Sequence, residues 1–311
     1  MKESAIVTLA AIRAPGEGAA EYLFNERERI FALKEGGRVS GESADVLQDA
    51  LANKLPVKVV LDSRRDVIEK VTRPSSDETA AFNRDRILLD SPEKTLRIDV
   101  NAIDPTKFNV VDHYLKIPVF QLCTRIIPNY TTARNIFDFC AQQSCSLPGP
   151  YSVSPCIPFQ YVRDGCYARA HKMRWIITTQ YRYCCEKVFS FANQEPDRLA
   201  VKADKWGGCC VTWWYHVAPL VRVNVKLGKL SVVLALVIDP SMFNKPVLLS
   251  TWLSAQENAV CSSNAHVSMY SIQPGTAYSP ANYAGTAFTT DPSYTATDAT
   301  LIAYQSLTTC P

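Results

Sequence analysis

Cysteine placement constrains this chain more than any other feature. Eleven of its 311 residues are cysteines, all of which lie in residues 123–311, whereas residues 1–122 contain none. Cysteines at this density are typical of disulfide-bonded proteins from oxidising compartments. An odd total is what five disulfides and one reactive thiol would give, while the pairing itself is not readable from the sequence.

A metal site is the alternative to disulfides, and two pairs of adjacent cysteines argue against it. These pairs are Cys184 with Cys185 and Cys209 with Cys210. Structural zinc sites usually space their ligands as Cys-x-x-Cys with further ligands at regular spacing, and these pairs do not follow that pattern. Because neighbouring cysteines cannot bond to each other without strain, each is expected to reach a different partner. The sequence therefore predicts five disulfides within residues 123–311 with Cys166 reduced, no metal site and no cofactor.

Charge changes at the same place along the chain. Residues 1–122 carry 18 basic and 20 acidic side chains, whereas residues 123–311 carry 15 and 10. This complementarity suits an N-terminal lobe (residues 1–118) that docks on a larger domain (residues 119–311). The basic residues of the larger domain are not clustered, which argues against a nucleic-acid partner. No apolar stretch approaches the length of a membrane span, so no membrane is expected either.

The N-terminal lobe is expected to be a small α+β unit. Helix 43–53 has Ser43 as a candidate N-cap and apolar residues on one face. The other predicted elements are strands 7–13 and 56–61, a helix over 77–87 and a proline-containing connection over 90–118. From residue 262 onward the chain is rich in small and aromatic residues and is predicted to form strands and loops.

Cys166 is the candidate nucleophile. It lies where a loop gives way to a helical pattern, with Ala170, Met173 and Ile177 recurring on the same face. A helix N-terminus carries about half a positive charge and unpaired N–H groups, which favour a thiolate. The same N–H groups could stabilise an oxyanion. A buried or disulfide-bonded cysteine is the alternative reading of this residue alone.

A predicted β-hairpin supplies the partners for this thiol. Residues 211–225 and 231–238 read as two strands, and residues 227–228 read as the turn between them. In that register His216 lies opposite Asp239 on the same face, within hydrogen-bonding reach. The carboxylate would then orient the imidazole as the third member of a catalytic triad. Taken singly, the two residues would be a structural histidine and a turn residue.

The other three histidines fit the role of base less well than His216. His171 lies five residues past Cys166, about 140° round the helix, and is expected to point away from the site. His113 and His266 lie in segments without a supporting pattern.

Six motifs in the same order resemble those of the bacterial protein-glutaminase family. They are residues 154–159 (SPCIPF), 164–174 (DGCYARAHKMR), 185–187 (CEK), 209–211 (CCV), 214–218 (WYHVA) and 238–243 (IDPSMF). The resemblance implies an α+β fold with a transglutaminase- or papain-like cysteine hydrolase core. It places the family's catalytic residues on Cys166, His216 and Asp239. It also implies a secreted precursor with a pro-region. We therefore expect the small α+β lobe of residues 1–118 to be that pro-region and to dock over the active site, and an ordinary accessory domain is the alternative.

The expected reaction is deamidation of glutamine side chains in proteins or peptides, through a thioester that water hydrolyses. The candidate substrate-binding residues are Trp214, Tyr215 and Gly165. By strand parity Trp214 faces the site, where it could line the glutamine channel or belong to the core. A transglutaminase and a cysteine peptidase would use the same triad. A disulfide-rich secreted binding module, with Cys166 bridged, is a further alternative.

The remaining expectations concern location and assembly. The first residues of the chain are too short in apolar residues for a signal peptide and carry Arg13 too early. The protein is expected to be an extracellular or periplasmic monomer whose leader is absent from this chain.

Overall fold

A computed structural model describes residues 2–14, 19–34, 38–62, 64–89, 96–99, 125–227 and 230–310. Helices and strands are mixed along the chain, as the predicted α+β class requires. None of the helices in these ranges is long and apolar enough to cross a membrane.

The N-terminal lobe is a closed five-stranded barrel with the strand order β1-β2-β3-β5-β4. Strands β3 and β5 are parallel, and the helix α1 connects β3 to β4, which together give the topology of an OB-fold. Apolar residues such as Phe24, Phe31 and Leu47 fill its core. Its elements are β1 (Lys2–Arg13), β2 (Glu21–Phe24), β3 (Ile30–Leu33), α1 (Arg38–Asn53), β4 (Pro56–Asp62) and β5 (Val67–Thr72).

The helix α1 begins five residues before the predicted N-cap Ser43, so that prediction is wrong. Ser43 is buried and shares a helical face with Leu47 and Ala50, which pack in the barrel core. Packing of this face therefore extends the helix beyond the local capping signal. The second predicted helix is present as α2 (Ser76–Asp85), with a capping box formed by Ser75 and Glu78.

Two short strands after the barrel join sheets of the larger domain. Strand β6 (Ile87–Leu88) pairs with β16 (Phe288–Thr290), and β7 (Leu96–Asp99) pairs with β14 (Met269–Gln273). Strand β7 lies within residues 90–118, which were predicted to be a connecting segment without regular structure. The rest of that segment, with His113 and the predicted boundary after residue 118, lies outside the described residues.

A six-stranded sheet with the order β13-β12-β11-β8-β14-β7 forms the centre of the larger domain. Helix α4 packs on β11, and their apolar residues form one core. The remaining strands are β8 (Glu186–Phe191), β9 (Leu199–Lys202), β10 (Cys210–Trp213), β11 (Tyr215–Leu227), β12 (Leu230–Val237), β13 (Val247–Leu248) and β15 (Ala277–Pro280). The helices are α3 (Tyr130–Gln142), α4 (Cys166–Trp175), α5 (Leu249–Ser254) and α6 (Thr295–Tyr304).

The predicted hairpin is present as β11 and β12, with a register two residues away from the predicted one. The ladder runs from Leu220 paired with Val237 to Leu227 paired with Leu230. A shift of two residues keeps every side chain on its predicted face, because side chains alternate with a period of two. His216 is thus paired with Ser190 of β8 rather than opposite Asp239, which follows the end of β12.

Disulfides lie in the larger domain, but the prediction of five with Cys166 alone reduced is wrong. Cys166, Cys140 and Cys185 are all unbridged and buried. A buried free cysteine packs as a small apolar side chain, which is the role that Cys140 and Cys185 have in the core. Cys184 is bridged, and the other described bridges are Cys145–Cys156, Cys209–Cys310 and Cys210–Cys261. Cys209 and Cys210 therefore reach different partners, as expected, whereas in the other adjacent pair Cys184 is bridged and Cys185 is not.

Candidate active site

Helix α4 begins at Cys166, as predicted, and buries the thiol. The residue before it, Gly165, has a φ of +85°, a left-handed conformation that glycine adopts without strain. A Cβ atom at this position would approach Cδ2 of Tyr304 on α6 to 2.9 Å. Glycine is therefore required here both by the backbone and by the closeness of α6.

Gly165→Ala is expected to lower the free energy of unfolding by about 1–3 kcal/mol, because a left-handed alanine is strained and Tyr304 must move. Gly41→Ala is the matched control. Gly41 lies inside α1 with open space around its Cα, so alanine there should stabilise the protein by up to about 1 kcal/mol. Chemical denaturation of both variants measures the difference. Equal effects would mean that the turn at Gly165 is not constrained.

His216 and Asp239 form a buried hydrogen-bonded pair. Nε2 of His216 lies 3.0 Å from Oδ2 of Asp239, and both side chains are almost inaccessible to solvent. The indole N–H of Trp252 donates to the same oxygen at 3.0 Å, and Ser241 donates to the other. Burial by itself would raise the pKa of Asp239, but these hydrogen bonds lower it to about 2. Asp239 is therefore a fixed carboxylate that holds the imidazole through Nε2.

Aromatic rings fix the plane of the imidazole. Trp213 and Trp252 stack on His216 with ring centroids 4.6 and 5.4 Å away. Because Nε2 is bonded to Asp239, Nδ1 is left to face the thiol and to exchange protons with it. Burial alone would lower the pKa of His216, but the neighbouring carboxylates raise it.

The third group at this site is Glu28, which belongs to the N-terminal lobe. Its carboxylate, the Cys166 sulfur and a His216 ring nitrogen lie within 4.8 Å of one another. Oε2 lies 3.5 Å from Nδ1 of His216, and Oε1 lies 3.7 Å from the guanidinium of Arg169. These are ion-pair distances; within the described residues, neither carboxylate oxygen of the fully buried Glu28 meets the geometric criteria of a hydrogen bond.

Burial and the negative charge of Glu28 raise the pKa of the Cys166 thiol well above its usual value. This direction is opposite to the effect expected from the helix N-terminus, which favours a thiolate. The N-terminal charge of α4 is outweighed because the thiol is desolvated and lies beside a carboxylate. Burial likewise raises the pKa of Glu28. Burial and the neighbouring carboxylate thus both favour the thiol over the thiolate at Cys166.

Among the described residues, Glu28, Cys166 and His216 are also the group that could hold a metal ion. A thiolate, an imidazole and a carboxylate are a suitable donor set for zinc, and Asp239 would support the histidine from behind.

The three predicted substrate-binding residues directly precede Cys166 or His216 in the chain, and each has different contacts. Trp214 is buried, and its indole N–H donates to the carbonyl of Arg27 in the lobe at 2.8 Å. Tyr215 is buried, and its hydroxyl has no hydrogen-bond partner among the described residues; burial together with the neighbouring Cys166 raises its pKa. The N–H of Gly165 donates to Oδ1 of Asp164 at 2.8 Å. The structure thus places Trp214 against the lobe; the three substrate-binding roles stay predictions.

His171 does not belong to the site, as predicted. Its Nδ1 accepts from Lys187 at 2.8 Å, and its Nε2 donates to the carbonyl of Asp291 at 3.1 Å. Burial lowers its pKa to about 2, so it is neutral. His266 lies elsewhere and contacts Glu257 at 3.0 Å.

Comparison with known proteins identifies the family. A family model described as glutaminase matches residues 133–256. A crystal structure of protein-glutaminase is 35% identical and covers 60% of this chain and 92% of that chain, with a TM-score of 0.51. The NMR structure of protein-glutaminase from Chryseobacterium proteolyticum is 36% identical over 60% and 91% of the two chains, with a TM-score of 0.50. The chain belongs to the protein-glutaminase family.

The likeness extends over the N-terminal lobe in the pro-form of that enzyme. A crystal structure of pro-protein-glutaminase is 27% identical and covers 99% of this chain and 95% of that chain, with a TM-score of 0.70. No curated protein sequence matches the chain.

Proposed function

We propose that the protein deamidates glutamine side chains in proteins and peptides, releasing ammonia and leaving glutamate. The observation that carries this proposal is the buried group at the start of α4. There Cys166 lies beside His216, and His216 is held by Asp239 through Nε2 at 3.0 Å. Membership of the protein-glutaminase family supports the choice of glutamine as substrate.

In the proposed mechanism, Nδ1 of His216 accepts the thiol proton and the Cys166 sulfur attacks the carboxamide carbon. The first-turn N–H groups of α4 have no partners within the helix, and they stabilise the oxyanion. His216 then protonates the departing ammonia, and the thioester forms. A water molecule activated by His216 hydrolyses the thioester and regenerates the thiol, while Asp239 stabilises the imidazolium throughout.

The lobe of residues 1–118 acts as an inhibitory pro-region in this proposal. Glu28 fills the space beside the nucleophile and keeps the thiol protonated, so the site is blocked both sterically and electrostatically. Contacts around Glu28 hold the lobe in place. Arg13 donates to the carbonyl of Asp197 at 2.7 Å, and Arg198 pairs with Glu21 at 2.6 Å. The disulfides support a location in the extracellular space or the periplasm.

Ammonia release from a glutamine-rich protein tests the proposed reaction. The chain, cleaved within residues 105–125, should release ammonia and convert glutamine to glutamate, which mass spectrometry detects. Covalent cross-links or incorporated amine instead of glutamate would indicate a transglutaminase. New peptide termini would indicate a peptidase, and absence of any reaction would contradict the proposal.

A further inference from the structure

The lobe segment around Glu28 lies in the site as an extended peptide. The backbone N–H of Trp214 donates to the carbonyl of Glu28 at 2.9 Å, and Arg29 forms an antiparallel bridge with Trp213. On the other side, the N–H of Glu28 points to Oδ1 of Asp164 at 3.4 Å. The catalytic domain thus contacts the backbone on both sides of one residue, as in recognition by β-strand addition.

The side chain held by these contacts is a glutamate, which is what glutamine becomes after deamidation. Its carboxylate lies beside Cys166 and His216, where the reacting carboxamide would have to lie. Residues 27–29 therefore have the form of a bound product, with one residue on each side of the reacting position.

Both neighbours of Glu28 are arginines that contact the catalytic domain. The guanidinium of Arg27 donates to the hydroxyl of Tyr167 at 2.9 Å and lies 3.5 Å from Oδ2 of Asp164. The guanidinium of Arg29 donates to the hydroxyl of Tyr161 at 3.4 Å. The groups that contact the two arginines are one buried carboxylate and two buried phenol hydroxyls of the catalytic domain. Together they form a site that can accept hydrogen bonds from cationic side chains.

Each arginine also pairs with an acid of the lobe, Arg27 with Glu3 and Arg29 with Asp66. These acids leave when the lobe leaves, whereas Asp164, Tyr161 and Tyr167 stay on the catalytic domain. Once the lobe has left, the carboxylate of Asp164 no longer has the positive charge of Arg27 beside it. A basic residue of the substrate can take the place of Arg27.

We propose, on the basis of the proposed deamidation, that the enzyme selects glutamine within an extended segment and prefers arginine on both sides of it. Asp164 and the backbone of Trp214 bind the main chain of the target residue. Tyr167 and Asp164 bind the preceding arginine, and Tyr161 binds the following one.

A peptide series with the chain cleaved within residues 105–125 tests this preference. Capped peptides that differ only around glutamine (Arg-Gln-Arg, Ala-Gln-Ala and Glu-Gln-Glu) are compared by kcat/KM for ammonia release. The Arg-Gln-Arg peptide is expected to exceed Ala-Gln-Ala by about tenfold or more, since charge-assisted hydrogen bonds are the strong ones. Equal rates for the three peptides would overturn the inference and leave the proposed function intact. No ammonia from any peptide or protein would contradict the proposed function itself.

Two conservative variants separate the two neighbouring positions. Tyr167→Phe should lower the preference for Arg-Gln-Ala over Ala-Gln-Ala by several-fold, and Tyr161→Phe should lower the preference for Ala-Gln-Arg. Each variant serves as the control of the other, because each removes one hydroxyl at a buried site. Unchanged preference ratios in both variants would overturn the assignment of these residues. A peptide N-methylated at the glutamine should be a much poorer substrate, because Asp164 then loses its backbone partner.

Discussion

Cys166→Ala is expected to reduce kcat for ammonia release from the cleaved chain by about a millionfold, the loss seen when a catalytic nucleophile is removed. His216→Ala should have a similar effect, because the thiol then has no base at Nδ1. Asp239→Asn should cost less, on the order of hundreds- to ten-thousandfold, because the asparagine disturbs the imidazole tautomer without removing the nucleophile. Initial rates on a glutamine-containing protein measure all three.

Cys185→Ala is the matched control for the nucleophile. Cys185 is free and buried like Cys166, but it donates to the backbone carbonyl of Glu186 and lies outside the site. The variant should therefore retain activity after cleavage. Activity that survives in Cys166→Ala, or that disappears in a folded Cys185→Ala, would contradict the assigned nucleophile.

Strand parity made the pairing of His216 with Asp239 predictable from the sequence. The observed register of the hairpin is two residues away from the predicted one, and the contact still formed. Side chains on a strand change face only when the register shifts by an odd number of residues. Asp239 then reaches His216 from beyond the end of β12 rather than from the opposite strand position. The helix start at Cys166 was predictable because the apolar residues that recur behind it are a local signal.

The participation of Glu28 could not be predicted. It lies in the short connection between β2 and β3, between two arginines, where charges usually face solvent. Its burial follows from how the barrel docks on the catalytic domain, which depends on distant residues such as Arg13 and Trp214. The free state of Cys140 and Cys185 was equally hidden, because a count of cysteines does not tell which of them pack in the core. Helix α6, whose Tyr304 packs on Gly165, was read as strands and loops.

A single cut within residues 105–125 is expected to raise activity by about a thousandfold at nanomolar enzyme. A lobe tethered at an effective concentration of ~1 mM that binds with a Kd of ~1 µM leaves about one site in a thousand open. After cleavage the lobe is no longer tethered, so the occupied fraction depends on the concentration of the protein. Dilution below the Kd then releases the lobe. A specific protease site placed in this segment, with ammonia release measured before and after cutting, gives the ratio.

Thiol alkylation of the same samples shows whether the lobe is the cause. Cys166 should be unreactive in the uncut chain and should react in the cut, diluted chain, while Cys140 and Cys185 stay protected because they lie in the core. Glu28→Ala should increase alkylation of Cys166 in the uncut chain, because the carboxylate that raises its pKa is gone. Raising the cut enzyme to ~100 µM, about a hundred times the assumed Kd, should lower the activity per molecule about tenfold again. If the uncut chain is as active as the cut one, or if activity is independent of dilution, the lobe is an accessory domain rather than an inhibitor.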